Sequence, residues 1–442
     1  MSLIFGLMCP FAYGEIKADS QKAVVQKTGI QKTNTSKTNI TKTNTKNKND
    51  GEATIMFTGD LMAQSFMQRA YYSTDTDSFD YTPVFKYVKK VFKKADMVVG
   101  NLETCVSSST NLPLEEYYRE NGKPMMNVDA AFLDAIKDAG IKTVTMSNNH
   151  NTDGGIQGIY ETLDAVDEAG IKHTGLYRDS KEKRYMILKV DNIKVGIISY
   201  AYYYNDLTSF TDVDIAEHLS YYSKDQLKKD VKAVKKAGAE YVIACLHCGT
   251  EYSDIVSLRQ QEITKYMISH GVDYVIGHHP HVIQPGVNRS YKKTKHPVIY
   301  SLGNLTTTAT TEKIKESIVV SITLKKDKKS GKVTLKKNDY IPCYVSTVGE
   351  DEYVIIPEGV DKELDKEYIA RFYDARKRTE RLGMFKTLKK TKKYDEVKKA
   401  LKAEAEARKA SETDAALTTD TNATATDVSN TDADSAADKE KS

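Results

Sequence analysis

Carboxylate, carboxamide and imidazole side chains recur in this chain in short clusters. They are Gly59-Asp60, Asn101-Leu102-Glu103, Asn148-Asn149-His150 with Asp153, His247 followed by Gly249 and Glu251, Gly277-His278-His279-Pro280-His281, and Ser301-Leu302-Gly303-Asn304. Asp, Glu, Asn and His together form a ligand set for hard-to-borderline divalent metals. Brought to one place, they would do metal chemistry.

Apolar, β-branched runs precede five of the clusters and read as strands: residues 53–58, 96–99, 142–146, 241–245 and 273–276. Polar groups at the carboxyl ends of several strands are where α/β folds build their sites. Helical patterns lie between the strands. One runs through Pro83–Phe92. Another goes from Asp129, a capping residue, through Phe132, Leu133 and Ile136 to Gly140. A third carries Ile156, Ile159, Tyr160, Leu163 and Val166 on one face and closes at Gly170. Residues 185–190 and 193–200 flank Asp191-Asn192 as a β-hairpin, and 317–324 with 332–335 form a second pair. Strand–helix units interleaved with antiparallel hairpins predict an α/β protein, an α/β/β/α sandwich of two mixed sheets with helices outside.

The ordered set of motifs resembles the CapA family, the poly-γ-glutamate (capsule) synthesis proteins, and looks like an offshoot of the calcineurin-like metallophosphoesterases. The resemblance covers roughly residues 53 to 310. It implies a metallophosphatase-like form of the four-layer sandwich. It also implies a divalent-metal cofactor, expected to be dinuclear (Mn, Zn, Fe or Mg), with Asp60, Glu103 and His281 on one ion and Glu103, Asn149, His247 and His279 on the other. Two ions about 3.5–4 Å apart clamp a phosphoryl or acyl oxygen and generate hydroxide near neutral pH, and Glu103 is the bridging carboxylate. His150 matches the residue that protonates the leaving group, and Asp153 would orient it as an outer carboxylate. Asn101, Glu251 and Asn304 are expected at the substrate.

The chain departs from the phosphoesterase pattern at Met62, where those enzymes carry a metal-binding His. Thioether does not replace imidazole for a hard metal, so that site would be weaker or empty. Glu103 in place of their Asp moves the carboxylate outward by one methylene. Other readings stand beside these. Asp60 also suits a turn after Gly59, and Glu251 suits a partner to His247. Tyr200, Tyr202, Tyr203 and Tyr204 suit a substrate groove or ordinary packing. His173, His218, His270 and His296 receive no role, and the family's His-Pro-His phase favours His279 and His281 over His278.

The ends of the 442-residue chain are too polar to join a core. Residues 1–14 read as a signal peptide without its basic start, and 15–50 as a Lys/Thr/Asn-rich spacer that cannot offset its ordering entropy. The domain is expected over 51–345 with an extension over 346–385, followed by a basic helix (386–410) and an acidic tail (411–442). The net charge of +4 conceals this asymmetry. The basic arms read first as solvated faces, and a wall polymer or membrane surface would attract them. Cys245 and Cys248 form a C-x-x-C with no second pair for a zinc ribbon, and read as structural thiols.

These features predict a bacterial cell-surface or extracellular CapA-like protein of capsule biosynthesis, acting as a metal-dependent hydrolase or transferase on a polymer. The expected partners are an anionic cell-surface polymer, poly-γ-glutamate or similar, and membrane synthase components, with no nucleic acid. The alternatives are a non-catalytic polymer-binding module and a surface calcineurin-like phosphoesterase.

Overall fold

The computed structural model describes residues 51–107, 125–348 and 352–358, so the expected signal peptide, spacer, basic helix and acidic tail lie outside the described residues. In chain order the strands begin with β1 (Glu52–Leu61), β2 (Tyr72–Ser73), β3 (Ser78–Phe79), β4 (Met97–Leu102), β5 (Thr143–Thr145), β6 (Lys172–Thr174), β7 (Met186–Val190) and β8 (Ile193–Ala201). They continue with β9 (Tyr241–His247), β10 (Tyr274–His278), β11 (Ile283–Tyr291), β12 (Thr294–Leu302), β13 (Glu316–Lys326), β14 (Val333–Val348) and β15 (Glu352–Pro357).

Two mixed sheets result. The first has the order β15-β14-β13-β1-β4-β5-β6, in which β1, β4, β5 and β6 run parallel and β13 to β15 antiparallel. The second has the order β11-β12-β10-β9-β8-β7, with β12, β10, β9 and β8 parallel and an antiparallel strand at each edge. The first sheet continues past residue 345 through β14 and β15, into the stretch expected to extend the domain.

The alternation of side chains along each strand sends neighbours to different cores. Ile55, Phe57, Val320 and Ile322 of the first sheet share one apolar cluster with Ile197, Ile243, Ile276 and Ile299 of the second. Val98 and Val144 instead join Phe132, Leu133, Ile159 and Leu163 from the helices Ala131–Ala139 and Gly155–Glu168. Val242 and Val275 join Leu227, Val231, Ile263 and Met267 from the helices Lys224–Lys236 and Leu258–Ser269. Three cores separate four layers, the α/β/β/α sandwich read from the sequence.

Local signals explain the boundaries. Asp129 accepts a hydrogen bond from the Ala131 N–H, and Gly140 takes φ 111° to end that helix. The pattern over Pro83–Phe92 is two pieces, a one-turn 3-10 helix Thr82–Phe85 and a helix Val88–Phe92, a division that leaves Val84, Phe85, Val88 and Val91 all buried. None of the described helices is long and apolar enough to cross a membrane.

The sheets meet where β1 ends. A Cβ on Gly59 would lie 2.0 Å from the Gly303 carbonyl oxygen, so only glycine permits this approach. There the Asp60 N–H donates to that carbonyl at 3.0 Å, and the Leu305 N–H donates to the Asp60 carbonyl at 2.9 Å.

Candidate metal centre

The parallel strands β1, β4, β5, β9 and β10 all deliver their carboxyl ends to this seam. Asp60 arrives on β1, Glu103 just past β4, Asn149 and His150 in a 3-10 turn after β5, His247 on β9, and His279 and His281 after β10. All seven side chains are buried. His279 (φ 96°) and His281 (φ 57°) flank Pro280 in left-handed backbone, which costs roughly 1–3 kcal/mol each for a non-glycine residue. That turn brings both imidazoles to the same point.

Four ligand-type atoms converge around His247 Nε2. Asn149 Oδ1 lies 2.7 Å away, His279 Nδ1 3.1 Å and Glu103 Oε1 3.4 Å. On the other side of Glu103, the same Oε1 is 3.8 Å from His281 Nε2, and His281 Nδ1 is 3.6 Å from Asp60 Oδ2. Glu103 therefore stands between the two groups. Neither of its carboxylate oxygens has a hydrogen-bond partner, although both are buried. A buried carboxylate without partners is costly, and a divalent cation is the species this donor set fits. Asp60, Glu103 and His247, and likewise Glu103, His279 and His281, each place three ligand atoms within 4.8 Å of one another.

The charges of these groups are set by their burial and by one another. Burial opposes ionisation of Asp60, but the hydrogen bond with His281 and the nearby imidazoles outweigh it and hold this carboxyl below the usual range. Burial and the Asp60 charge push Glu103 well above that range. Burial and neighbouring imidazoles hold His247 and His279 far below the ordinary imidazole value, which leaves their ring nitrogens free to bind a cation.

Asn101 and Asn304, expected at the substrate, are instead buried against candidate ligands. Asn101 Nδ2 donates to Asp60 Oδ1 at 2.8 Å, and Asn304 Oδ1 accepts from His281 Nδ1 at 2.9 Å. The latter bond points His281 Nε2 at Glu103. Glu251 is exposed, and no hydrogen bond or ion pair joins it to His247 among the described residues. Asp153 Oδ2 lies 2.6 Å from His150 Nδ1, as the spacing of three predicts, and also accepts the Met126 N–H.

His278 is buried with Nε2 on the Thr58 carbonyl. His173, His218, His270 and His296 each contact a structural partner. Met62 is buried, and its N–H and carbonyl both bond to the Thr306 hydroxyl. Cys245 and Cys248 join opposite cores, so their thiols face away from each other. Two contacts escaped sequence reasoning: the hydroxyl of Tyr203, a residue read as groove lining or ordinary packing, meets His279 Nε2, and the Asn205 carboxamide meets Asn149. Their signal was position, just past β8, a strand that reads as a hairpin arm but also pairs in parallel with β9.

Curated relatives match this chain over much of its length. The chain is 28% identical over 295 residues to the capsule biosynthesis protein CapA of Bacillus anthracis, covering 63% of this chain and 66% of that one, just under two thirds of its length. It is 25% identical over 299 residues to the PGA biosynthesis protein CapA of Bacillus subtilis (strain 168), covering 64% and 70%. Among solved structures, the calcineurin-like phosphoesterase YfkN from Bacillus subtilis aligns with TM-score 0.40 at 14% identity, over 74% of this chain and 99% of that one. The NAD nucleotidase NadN of Haemophilus influenzae aligns with TM-score 0.42 at 13% identity, over 80% and 67%. The family model described as bacterial capsule synthesis protein PGA_cap matches residues 54–309, more than half of the chain, and the chain belongs to that family.

Proposed function

We propose that this protein works in the production of an anionic cell-surface polymer, poly-γ-glutamate or one like it, as a metal-dependent hydrolase or transferase. One observation carries the reading: Glu103, buried and without a hydrogen bond, stands between His247 Nε2 and His281 Nε2. Asp60, Glu103 and His281 would hold one divalent cation, and Glu103, Asn149, His247 and His279 a second. Bound there, such cations polarise an acyl or phosphoryl oxygen and lower the pKa of water.

The chain's own residues do the rest. Asn101 and Asn304 fix the Asp60 carboxylate and the His281 ring. Burial opposes a charged His150, but the Asp153 charge and hydrogen bond prevail and raise its pKa, which favours the protonated ring. Nδ1 is engaged by Asp153, which leaves Nε2 to deliver a proton to the departing nitrogen or oxygen as its bond to the acyl or phosphoryl centre breaks. The attacking water returns a proton to the same ring.

The test is elemental analysis of the full chain equilibrated with Mn²⁺, Zn²⁺ or Mg²⁺, followed by incubation with γ-glutamyl polymer. Bound metal that falls in Asp60→Ala and His279→Ala, together with a change in polymer length, is the expected result. Metal-free protein under every condition would overturn the reading.

Met62 favours a second reading, in which the same fold holds a nascent polymer for its synthase without turnover. Capsule production that survives Asp60→Ala and His279→Ala in cells would decide for it.

A further inference from the structure

Three of the four residues leaving β8 together reach every non-bridging ligand of one proposed cation, although none of them is itself a proposed metal ligand. The Tyr202 N–H donates to the His247 carbonyl at 3.0 Å. The Tyr203 hydroxyl lies 2.5 Å from His279 Nε2, with the two rings nearly perpendicular. Asn205 Oδ1 accepts the Asn149 Nδ2 hydrogen at 3.1 Å, and the Asn205 N–H donates to the Asn149 carbonyl at 3.1 Å. Between them Tyr204 is buried in the core outside the first sheet and anchors the segment.

Each contact has a directional consequence. The Tyr203 hydroxyl sits closer to Nε2 than to Nδ1 of the His279 ring, 2.5 Å against 3.3 Å, which favours the tautomer with its proton on Nε2 and its lone pair on Nδ1, the atom 3.1 Å from His247 Nε2. A carboxamide whose NH₂ is held by Asn205 must turn its oxygen the other way, and Asn149 Oδ1 is the atom 2.7 Å from His247 Nε2. Asp60 and His281 are oriented independently, by Asn101 and Asn304. Among the described residues, no hydrogen bond links the 202–205 segment to Asp60 or His281.

We infer that Tyr202–Asn205, whose Asn205 Nδ2 also reaches Asp153 Oδ1 at 3.3 Å and His150 Nδ1 at 3.4 Å, is a positioning element for one of the two cation sites, the one formed by Asn149, His247 and His279, and that it sets that site's affinity separately from its neighbour's. The inference rests on the dinuclear reading above. Partners of this outer kind change metal affinity by about 10–100-fold when removed.

The experiment is a calorimetric titration of the metal-free full chain with Mn²⁺, for wild type, Tyr203→Phe, Asn205→Ala and, as the reciprocal control, Asn101→Ala. Tyr203→Phe deletes one oxygen and keeps the packed ring, so an unchanged melting temperature of the metal-free protein verifies the fold. In the expected result Tyr203→Phe and Asn205→Ala weaken one class of site by about 10–100-fold and leave the other in place, while Asn101→Ala weakens the other class. Wild-type affinity for both classes in Tyr203→Phe and Asn205→Ala, or an equal loss from both, overturns the inference but leaves the metal centre standing. A single wild-type class supports it if both variants weaken that class and overturns it if neither does. No binding by the wild type removes the metal centre itself.

Discussion

His150 Nδ1 and Asp153 Oδ2 lie 2.6 Å apart across one 3-10 turn, and both side chains are buried. Their pairing raises the imidazole pKa against the opposing effect of burial. A reaction that needs the protonated ring is therefore supported at low pH and fades as pH rises through that raised value. Asp153→Asn keeps an acceptor oxygen but removes the charge, so the alkaline fall in rate should move to lower pH. His150→Ala should slow turnover of a substrate with a poor leaving group by about 10²–10⁴-fold. Histidine NMR titration of wild type and Asp153→Asn reads the first effect without needing a substrate. An unshifted His150 resonance would remove Asp153 from this role.

Glu103→Gln separates metal binding from folding. Burial and Asp60 push the Glu103 pKa up, which favours the neutral acid that glutamine resembles. To the extent that the acid form prevails, the metal-free melting temperature should change little. Stabilisation by Mn²⁺ at a hundredfold excess over Kd, about 2.7 kcal/mol for the wild type, should vanish. Equal stabilisation of variant and wild type would mean that Glu103 does not bridge.

Metal uptake should be coupled to proton release. Burial opposes a charged His281, but the Glu103 and Asp60 carboxylates and Asn304 raise its pKa to about 10, and Glu103 is itself raised. Both groups lose a proton to become ligands, so affinity should increase from about pH 6 to about pH 8, with protons released on binding. Calorimetry in buffers of different ionisation enthalpy counts them. An affinity that is flat over this range would contradict the charge distribution described here.

Gly59→Ala should be costly despite its size. The new methyl would meet the Gly303 carbonyl at 2.0 Å, and the Asp60 N–H bonds to that same oxygen. A destabilisation of about 1–3 kcal/mol or more is expected in urea unfolding, with weakened metal binding because Asp60 moves with its backbone. Wild-type stability would mean that the two strand ends separate freely.

Much of this was legible because the chemistry sits at strand ends and strands announce themselves by composition. Asp60, Glu103, Asn149, His247, His279 and His281 follow apolar, β-branched runs that mark a strand and its end, while their proposed role as ligands came from the family resemblance. What escaped depends on which strands become neighbours. Asn101 and Asn304 read as substrate contacts because nothing local tells Asn101 that Asp60 lies across the β1–β4 pairing, or Asn304 that His281 is beside it. Tyr203 and Asn205 were hidden similarly, since the hairpin signal of β7 and β8 is local and the parallel pairing of β8 with β9 is not. Left-handed backbone at His279 and His281 had only Pro280 as its marker.

Asp60 enters on the first strand, and His281 follows β10, with most of the domain between them. During synthesis no early fragment contains both, and even the released chain lacks a site until its sheets have paired across that distance. Metal loading would then come late in maturation. The ion bound at the proposed site would be set by whichever compartment witnesses the end of folding, and by the free metal available there at that moment.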